Sequence, residues 1–315
     1  MTLAPPFRTL IHADWSVSPR KRWMARAVVQ NGRWTISATA PASDILQTLR
    51  VSADQPLLAG FDFPIGLPES YGRATGFADF PAFLGDIDDG AWDEFRNIAR
   101  HPDDISLRRP FYPAGAAKGI KQASLIQAHA ATDLNGLRRR SERATATRRA
   151  ACPIFWTLGG NQVGRGALSG WQEVIRPGLR AGAHLWPFDG SLSELAGRGG
   201  LVLAETYPAE AYGHVGVRFK AGQSKRRQSD RQSHAAVIRA WVASRDIHLG
   251  ADAVDEIDNG FGADPNGEDR FDAMVGLLGM VEVVGGGRSE CLMPLLPEVA
   301  WEGWILGQVS AADAR

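Results

Sequence analysis

Two short apolar runs, each ended by a carboxylate and closely followed by proline, limit the fold of this chain more than any other feature. One run is Leu57-Leu58-Ala59-Gly60-Phe61, which leads into Asp62, and the other is Leu201-Val202-Leu203-Ala204, which leads into Glu205. Continuous apolar runs of this length are typical of parallel strands that are covered on both faces. The two runs therefore predict an α/β fold.

The first forty residues read as three further strands. Residues 9–17, 23–30 and 33–40 are rich in Trp, Val, Ile and Thr, and Asn31-Gly32 separates the second run from the third. Asn-Gly tolerates the positive φ angles of a type I′ turn, so we expect a β-hairpin there. Together with the two apolar runs, these segments predict a mixed five-stranded sheet with flanking helices.

The middle of the chain, residues 67–198, is rich in Gly, Pro and Arg and has several short helical patterns but no strong strand. We interpret it as a large, mostly helical insertion in a single domain whose core spans about 8–66 and 199–285, with a C-terminal segment at 286–315. Helices are expected at 122–149, 233–244 and 270–284. The arginines at 138–149 fit a solvated basic face or phosphate contacts.

Overall composition excludes several classes of protein. The chain has 35 basic and 35 acidic side chains, so a charge-driven partner must use a local patch. Its 2 cysteines exclude a disulfide framework and a four-cysteine zinc site, and they favour a reducing compartment. The start does not resemble a signal peptide, and no apolar run is long enough to cross a membrane. We therefore expect a cytoplasmic protein without a membrane partner.

Five carboxylates at the edges of apolar elements are the candidate catalytic residues. An unpaired buried carboxylate costs several kcal/mol, and several that converge repel one another. Divalent cations such as Mg²⁺ or Mn²⁺ relieve that repulsion, and two of them can clamp the oxygens of a phosphoryl transfer. Each carboxylate alone could instead cap a turn or pair with an arginine. The catalytic candidates are Asp14, Asp62, Glu205, Asp269 and Asp272, of which all but Glu205 are also candidate metal ligands.

A basic segment after the Glu205 run is the candidate phosphate-binding site. Lys and Arg side chains neutralise the backbone of DNA or RNA without reading its sequence. The candidates are Lys225, Arg226, Arg227 and Arg231, and a solvated basic face remains the alternative. Nucleic acid is the partner that this segment suggests.

Several motifs resemble a known family. The order of strands and acidic ends resembles the ribonuclease H-like fold, and Asp269-Arg270-Phe271-Asp272-Ala273 is similar to the acidic helix of RuvC-type resolvases. The segments 61–68, 205–208, 224–225 and 302–305, with the Asp272 helix, resemble domain-of-unknown-function family 429, a family of predicted nucleases. The resemblance implies that Asp14, Asp62 and Asp272 are the strand and helix acids, with Asp269 as partner. One departure is Trp15, where relatives in the wider superfamily often have a small residue.

These observations favour a metal-dependent phosphodiester hydrolase, a predicted nuclease. Two alternatives remain. An actin-like or kinase-like ATP phosphotransferase would need a glycine-rich turn after Asp14, where Trp15 stands, and the chain has no Gly-x-x-x-x-Gly-Lys-Ser/Thr loop. A non-catalytic nucleic-acid-binding module of the same fold would show carboxylates that fail to converge.

Overall fold

The computed structural model describes residues 5–52, 55–87, 90–116, 120–145, 149–158, 162–291 and 297–309. Contacts divide the chain into two compact units. Unit 1 comprises Met1–Asp62, Ala181–Glu290 and Ile305–Gly307, and unit 2 comprises Phe63–Arg180, Cys291–Trp304 and Gln308–Arg315. The single domain with an insertion at 67–198 stays a prediction.

The strands of the described residues form one eight-stranded mixed sheet, which belongs to unit 1. The strands are β1 Thr9–Asp14, β2 Trp23–Gln30, β3 Arg33–Ile36, β4 Ala40–Pro41, β5 Leu57–Phe61, β6 His184–Leu185, β7 Leu201–Glu205 and β8 His248–Leu249. Their order in the sheet is β6-β7-β5-β1-β2-β3-β8, and β4 pairs with β2.

The five longest strands are the five that the sequence predicted, but the predicted sheet was too small. Strands β4, β6 and β8 have two residues each, which is too short to show a periodic pattern. The first and third strands also end earlier than predicted. Strand β1 stops at Asp14 because the next backbone N–H, that of Trp15, donates to the Asp62 carboxylate. The chain leaves β3 after Ile36, and the N–H of Thr39 donates to the Glu256 carboxylate at 2.8 Å.

Strand register brings three strand ends to one edge of the sheet. Strand β1 is antiparallel to β2, and β2 is antiparallel to β3. Strands β1, β5 and β7 are mutually parallel neighbours, with Ala13 level with Phe61 and Phe61 level with Glu205. Asp14 and Asp62, one residue further on, therefore lie beside each other at the carboxyl ends of adjacent strands.

The hairpin between β2 and β3 has the turn that the sequence predicted. Asn31 and Gly32 have φ angles of 51° and 81°, both in the left-handed region. Gln30 pairs directly with Arg33, so the loop has two residues. Asparagine and glycine populate this region more readily than other residues, which makes this turn readable from sequence.

The helices of unit 1 flank the sheet, and those of unit 2 surround an aromatic core. In unit 1, the long helix Gly267–Val284 packs against β1, β2 and the helix Pro208–His214. In unit 2, Phe83 packs edge-to-face on Phe95 and Trp92, with ring centroids 5.0 Å apart in both cases. The unit 1 helices are α1 Ile45–Ser52, α7 Leu192–Arg198, α8 Pro208–His214, α9 Gln228–Gln232, α10 Ala235–Ala243, α11 Ala251–Asp258 and α12 Gly267–Val284. The unit 2 helices are α2 Glu69–Thr75, α3 Phe80–Asp86, α4 Ala123–Ala128, α5 Val163–Gly170, α6 Arg176–Arg180 and α13 Val299–Glu302.

A glycine lets α12 approach β1 closely. A Cβ atom on Gly276 would lie 2.2 Å from the imidazole Cε1 of His12, closer than packed atoms allow. His12 is fully buried, and its Nδ1 forms a 3.1 Å hydrogen bond with the carbonyl oxygen of Ala273. Burial lowers the pKa of His12 to about 3, so the imidazole is neutral near pH 7. This close contact determines how near the amino-terminal turns of α12 come to the end of β1.

The long helix predicted at 122–149 is wrong. Within the described part of this segment, 122–145 and 149, only α4 is α-helical, and short 3₁₀ turns follow at Leu134–Leu137 and Arg140–Glu142. The Asp133 carboxylate accepts the backbone N–H groups of Asn135 and Gly136, which starts a new turn instead of continuing the helix.

Among the arginines of this segment, Arg139 does not belong to the solvated face that was one interpretation of them. Arg139 has 0% exposure, and its Nε donates to Glu142 Oε1 at 2.9 Å. Its Nη1 donates to the carbonyl oxygen of Glu302 at 3.0 Å. A buried guanidinium needs such fixed acceptors, because leaving it unpaired costs several kcal/mol. Arg148, also part of that run, lies outside the described residues.

Among the described residues, no helix combines the length and the apolar character needed to span a membrane.

Candidate functional site

Asp14 and Asp62 form a carboxyl pair at the sheet edge. Their side chains share a hydrogen bond, and the backbone N–H of Trp15 donates to Asp62 Oδ1 at 2.5 Å. Burial raises the pKa of Asp14, and the charges of Asp62, Asp272 and Asp269 raise it further. Burial also raises the pKa of Asp62 to about 6, although the hydrogen bonds from Trp15 and Asp14 oppose this change. The pair therefore holds protons more tightly than ordinary aspartates do.

Asp272 joins this pair from the first turns of α12. It is 4% exposed and carries two protein donors. The hydroxyl of Tyr212 donates to its Oδ1, and the ammonium of Lys225 donates to its Oδ2. Burial and the nearby Asp272 charge raise the pKa of Tyr212, so its hydroxyl keeps the proton that it donates.

Asp269 lies one turn earlier, on the same face of α12 as Asp272. Its Oδ2 is buried and has no hydrogen-bond partner. Burial raises the pKa of Asp269 to about 6; the charge of Lys21 opposes this rise, whereas Glu268 and Asp272 add to it. The helix N-terminus favours a carboxylate here, but that effect does not replace a missing donor.

Lys225 is the cation that faces the cluster. Besides Asp272, its Nζ contacts Glu268 Oε1 at 3.2 Å, and its side chain is 37% exposed. Burial lowers the pKa of Lys225, but the attraction of Asp272 and Glu268 outweighs burial and raises it overall. The lysine therefore stays charged throughout the usual pH range.

The other predicted phosphate-binding residues differ in what they contact. Arg231 is 2% exposed and donates to the carbonyl oxygens of Gly260, Gly262 and Lys225, so it serves the fold. Arg227 is 57% exposed and pairs with Asp230 at 2.6 Å.

Arg226 is the most exposed of the predicted phosphate-binding residues that form ion pairs. Its side chain is 78% exposed and lies 3.7 Å from Glu268. Its guanidinium therefore remains open to solvent beside the acidic cluster.

The loop between β1 and β2 carries residues that sequence reasoning missed. The guanidinium of Arg22 stacks 3.8 Å from the ring centroid of Trp15, and its Nε donates to the Ser16 carbonyl at 2.6 Å. This contact holds the loop in place and leaves Arg20 and Lys21 exposed. The basic run Pro19-Arg20-Lys21-Arg22, so soon after Asp14, was a readable signal. Tyr212 and Glu268 had no such signal, because their roles depend on contacts far along the chain.

Glu205 lies apart from this cluster. It is level with Phe61 in the sheet, whereas Asp14 and Asp62 come one residue later along their strands. Because side chains alternate between the faces of a sheet, the register places Glu205 on the face opposite to His12, Asp14 and α12. Its predicted catalytic role stays a prediction.

The cluster fits a divalent cation in its donor chemistry and charge. Its donors are carboxylate oxygens, the ligands that Mg²⁺ and Mn²⁺ prefer, and the buried Oδ2 of Asp269 has no partner. Burial raises the pKa values of Asp14, Asp62 and Asp269, and the charges of neighbouring carboxylates add to the rise at all three, so Lys225 alone does not offset the negative charge of the cluster. In the described part of the chain, no three His, Cys, Asp or Glu side chains stand in a ready-made metal-binding arrangement. A bound cation would therefore require adjustment of these side chains.

Comparisons with known proteins give no relative for this chain. A scan against protein-family models, a search of the curated proteins and a search of the solved structures found no match. The functional assignment therefore depends on the residues of the chain itself.

Proposed function

We propose that this protein is a metal-dependent phosphodiester hydrolase, a nuclease of ribonuclease H-like fold similar to domain-of-unknown-function family 429. The observation that carries the proposal is the convergence of four aspartates at one sheet edge, where the charges of Asp62, Asp269 and Asp272 raise the pKa of Asp14. Such a surplus of buried negative charge is costly to a fold and is typical of functional sites.

The sheet supports the fold part of the proposal. An antiparallel meander of β1, β2 and β3 continues into the parallel strands β5 and β7, and α12 packs on β1 and β2. This is a mixed sheet with a helix that brings its acids to the end of the first strand, as the resemblance implies. Fold alone does not specify activity, so the proposal depends on the acids.

Each side chain of the cluster has a distinct task in this mechanism. Asp14, Asp62, Asp269 and Asp272 would hold Mg²⁺ or Mn²⁺, which when bound supplies Lewis-acid stabilisation of the phosphoryl oxygens. Tyr212 fixes the orientation of Asp272 through its hydroxyl hydrogen bond. The backbone of Trp15 does the same for Asp62. Asp62, whose pKa is raised to about 6, and Asp14, whose pKa is also raised, have to lose their protons before they bind a cation, so we expect cation binding to strengthen as the pH rises through about 6 and above.

Exposed cations around the cluster support nucleic acid as the partner. Arg226 is 78% exposed beside Glu268, and Lys21 is close enough to Asp269 to lower its pKa. Lys and Arg at the rim of an acidic site would bind the phosphates on either side of the cleaved bond. DNA and RNA share this phosphate chemistry.

The two alternatives fit the geometry less well. In an ATP phosphotransferase, the backbone after the first-strand aspartate would donate to phosphates. Here the N–H of Trp15 already donates to Asp62, and Trp15 is 8% exposed, so this backbone is not open to a phosphate. In a non-catalytic module the acids would fail to converge, whereas here four of the five predicted acids converge and Glu205 lies apart.

Cleavage assays with Asp272→Asn test the proposal. We expect the wild-type protein to hydrolyse labelled oligonucleotides, or the small diester bis(p-nitrophenyl) phosphate, only when Mg²⁺ or Mn²⁺ is present. Asp272→Asn should abolish cleavage while the circular dichroism spectrum is retained. Asp255→Asn, at an exposed position of α11, is the matched control and should cleave normally. Metal-independent cleavage, or full activity in Asp272→Asn, would refute the proposal.

A further inference from the structure

Lys225 occupies a position in the acidic cluster where a cation would otherwise bind. Its Nζ contacts Asp272 Oδ2 on one side and lies 3.2 Å from Glu268 Oε1 on the other. An ammonium that bridges two carboxylates takes the same kind of ligands as a divalent cation takes. The lysine and a metal ion therefore compete for the same oxygens.

Both oxygens of Asp272 already have a protein donor in this arrangement. Its Oδ1 accepts the hydroxyl of Tyr212, and its Oδ2 accepts the ammonium of Lys225. A divalent cation on Oδ2 would meet the ammonium at contact distance, where like charges repel strongly.

The backbone around Lys225 is tied to the protein interior. The carbonyl oxygen of Lys225 accepts Nη1 of the buried Arg231. The preceding N–H, that of Ser224, donates to Asp230 Oδ2 at 2.8 Å. These hydrogen bonds hold the lysine at the cluster. Its neighbour Arg226 differs, because its side chain is 78% exposed and its contact with Glu268, at 3.7 Å, is longer than that of Lys225.

Asp14, Asp62 and Asp269 remain for a metal ion. Asp269 Oδ2 is buried without a partner, and Asp14 and Asp62 share one hydrogen bond at the adjacent strand ends. We infer that Lys225 permanently fills one cation position of the cluster, so that the chain binds a single divalent cation, on Asp14, Asp62 and Asp269, instead of the two ions of a two-metal site. This inference rests on the proposed function and changes its set of metal ligands: Asp272, which the proposed function counts among them, is held by Lys225 and Tyr212 instead.

The number of bound Mn²⁺ ions tests the inference without any activity measurement. Electron paramagnetic resonance of free Mn²⁺ during a titration gives the number of ions per chain. We expect one ion in the wild-type protein and two in Lys225→Met, because the variant frees Asp272 and Glu268. The double variant Lys225→Met/Asp272→Asn should return to one ion. Arg226→Met is the matched control, since it removes the next cation along the chain without freeing Asp272, and it should bind one ion.

The outcomes separate this inference from the proposed function. Two ions in the wild-type protein would overturn the inference even if Lys225→Met does not fold, and metal-dependent cleavage would then still support the proposed function. One ion in a folded Lys225→Met would also overturn it. Lys225→Arg, which keeps the charge, should bind one ion, and a second ion in that variant would count against the inference. No bound ion in the wild-type protein would refute the proposed function itself.

Discussion

The acidic cluster should cost this protein stability at neutral pH, and Asp62→Asn should restore it. The side chain of asparagine has the same shape and its oxygen can still accept the N–H of Trp15, while its amide can donate to the Asp14 carboxyl in place of the hydrogen bond that Asp62 accepts from Asp14. The variant removes a carboxylate whose pKa rises from 3.8 to about 6 in the folded protein.

The sign follows from proton linkage. Between pH 3.8 and about 6 the folded state holds a proton on Asp62 that the unfolded state has released, so stability falls as the pH rises through this window. At about 1.4 kcal/mol for each tenfold change in proton affinity, ionised Asp62 costs the native state about 3 kcal/mol above pH 6. We therefore expect Asp62→Asn to raise the free energy of unfolding by about 3 kcal/mol at pH 7.5 and by less than about 1 kcal/mol at pH 4.

Urea unfolding in the presence of EDTA measures this difference. Tryptophan fluorescence and circular dichroism should be recorded together at each pH, because a chain with two compact units need not unfold in one step. Asp255→Asn, at an exposed position, is the control and should show no such pH-dependent gain. An unchanged or lower stability of Asp62→Asn at pH 7.5 would refute the reasoning. An equal gain at pH 4 and pH 7.5 would show that packing, and not charge, is responsible.

Three further predictions concern packing, charge and partner binding. Gly276→Ala should lower the free energy of unfolding by about 1–3 kcal/mol, because the new Cβ would lie 2.2 Å from the imidazole of His12. Gly166→Ala, which has open space around it, is the control and should not destabilise; urea unfolding measures both variants. Arg139→Leu should destabilise by about 3–5 kcal/mol because it leaves a buried carboxylate unpaired, and a neutral result in urea would refute that role. Lys21→Gln should weaken oligonucleotide binding and flatten its salt dependence in fluorescence anisotropy, whereas Arg33→Gln, at the opposite end of the sheet, should not; equal effects would contradict the proposed rim of the site.

The carboxylates of the acidic cluster are held in place by contacts that do not remove the repulsion between their charges. Asp62 is held by Trp15 and Asp14 at the strand ends, and Asp272 is oriented by Tyr212 and Lys225; all of these contacts join segments that are far apart in the sequence. A protein that keeps several ionised carboxylates together gives up stability at that site. The same imbalance prepares the site for a cation.

Local patterns were sufficient to predict the long strands and the turn between β2 and β3. Apolar runs, β-branched residues and the Asn31-Gly32 dipeptide act over a few residues, so their effect is visible without tertiary contacts. The position of Asp62 at a strand end was predictable for the same reason. The two-residue strands were not, because they form only where a neighbouring strand already offers a partner.

The sequence alone therefore determined which carboxylates end the strands and begin the long helix, since those positions follow from local period and propensity. Only the tertiary structure decided how the charges are used. Arg231 is buried and donates to three carbonyl oxygens, and Lys225 donates to Asp272. Neither arrangement was readable from local sequence, because each depends on contacts between segments that are far apart in the chain. Register decided the position of Glu205, since an offset of one residue moves a side chain to the other face of a sheet.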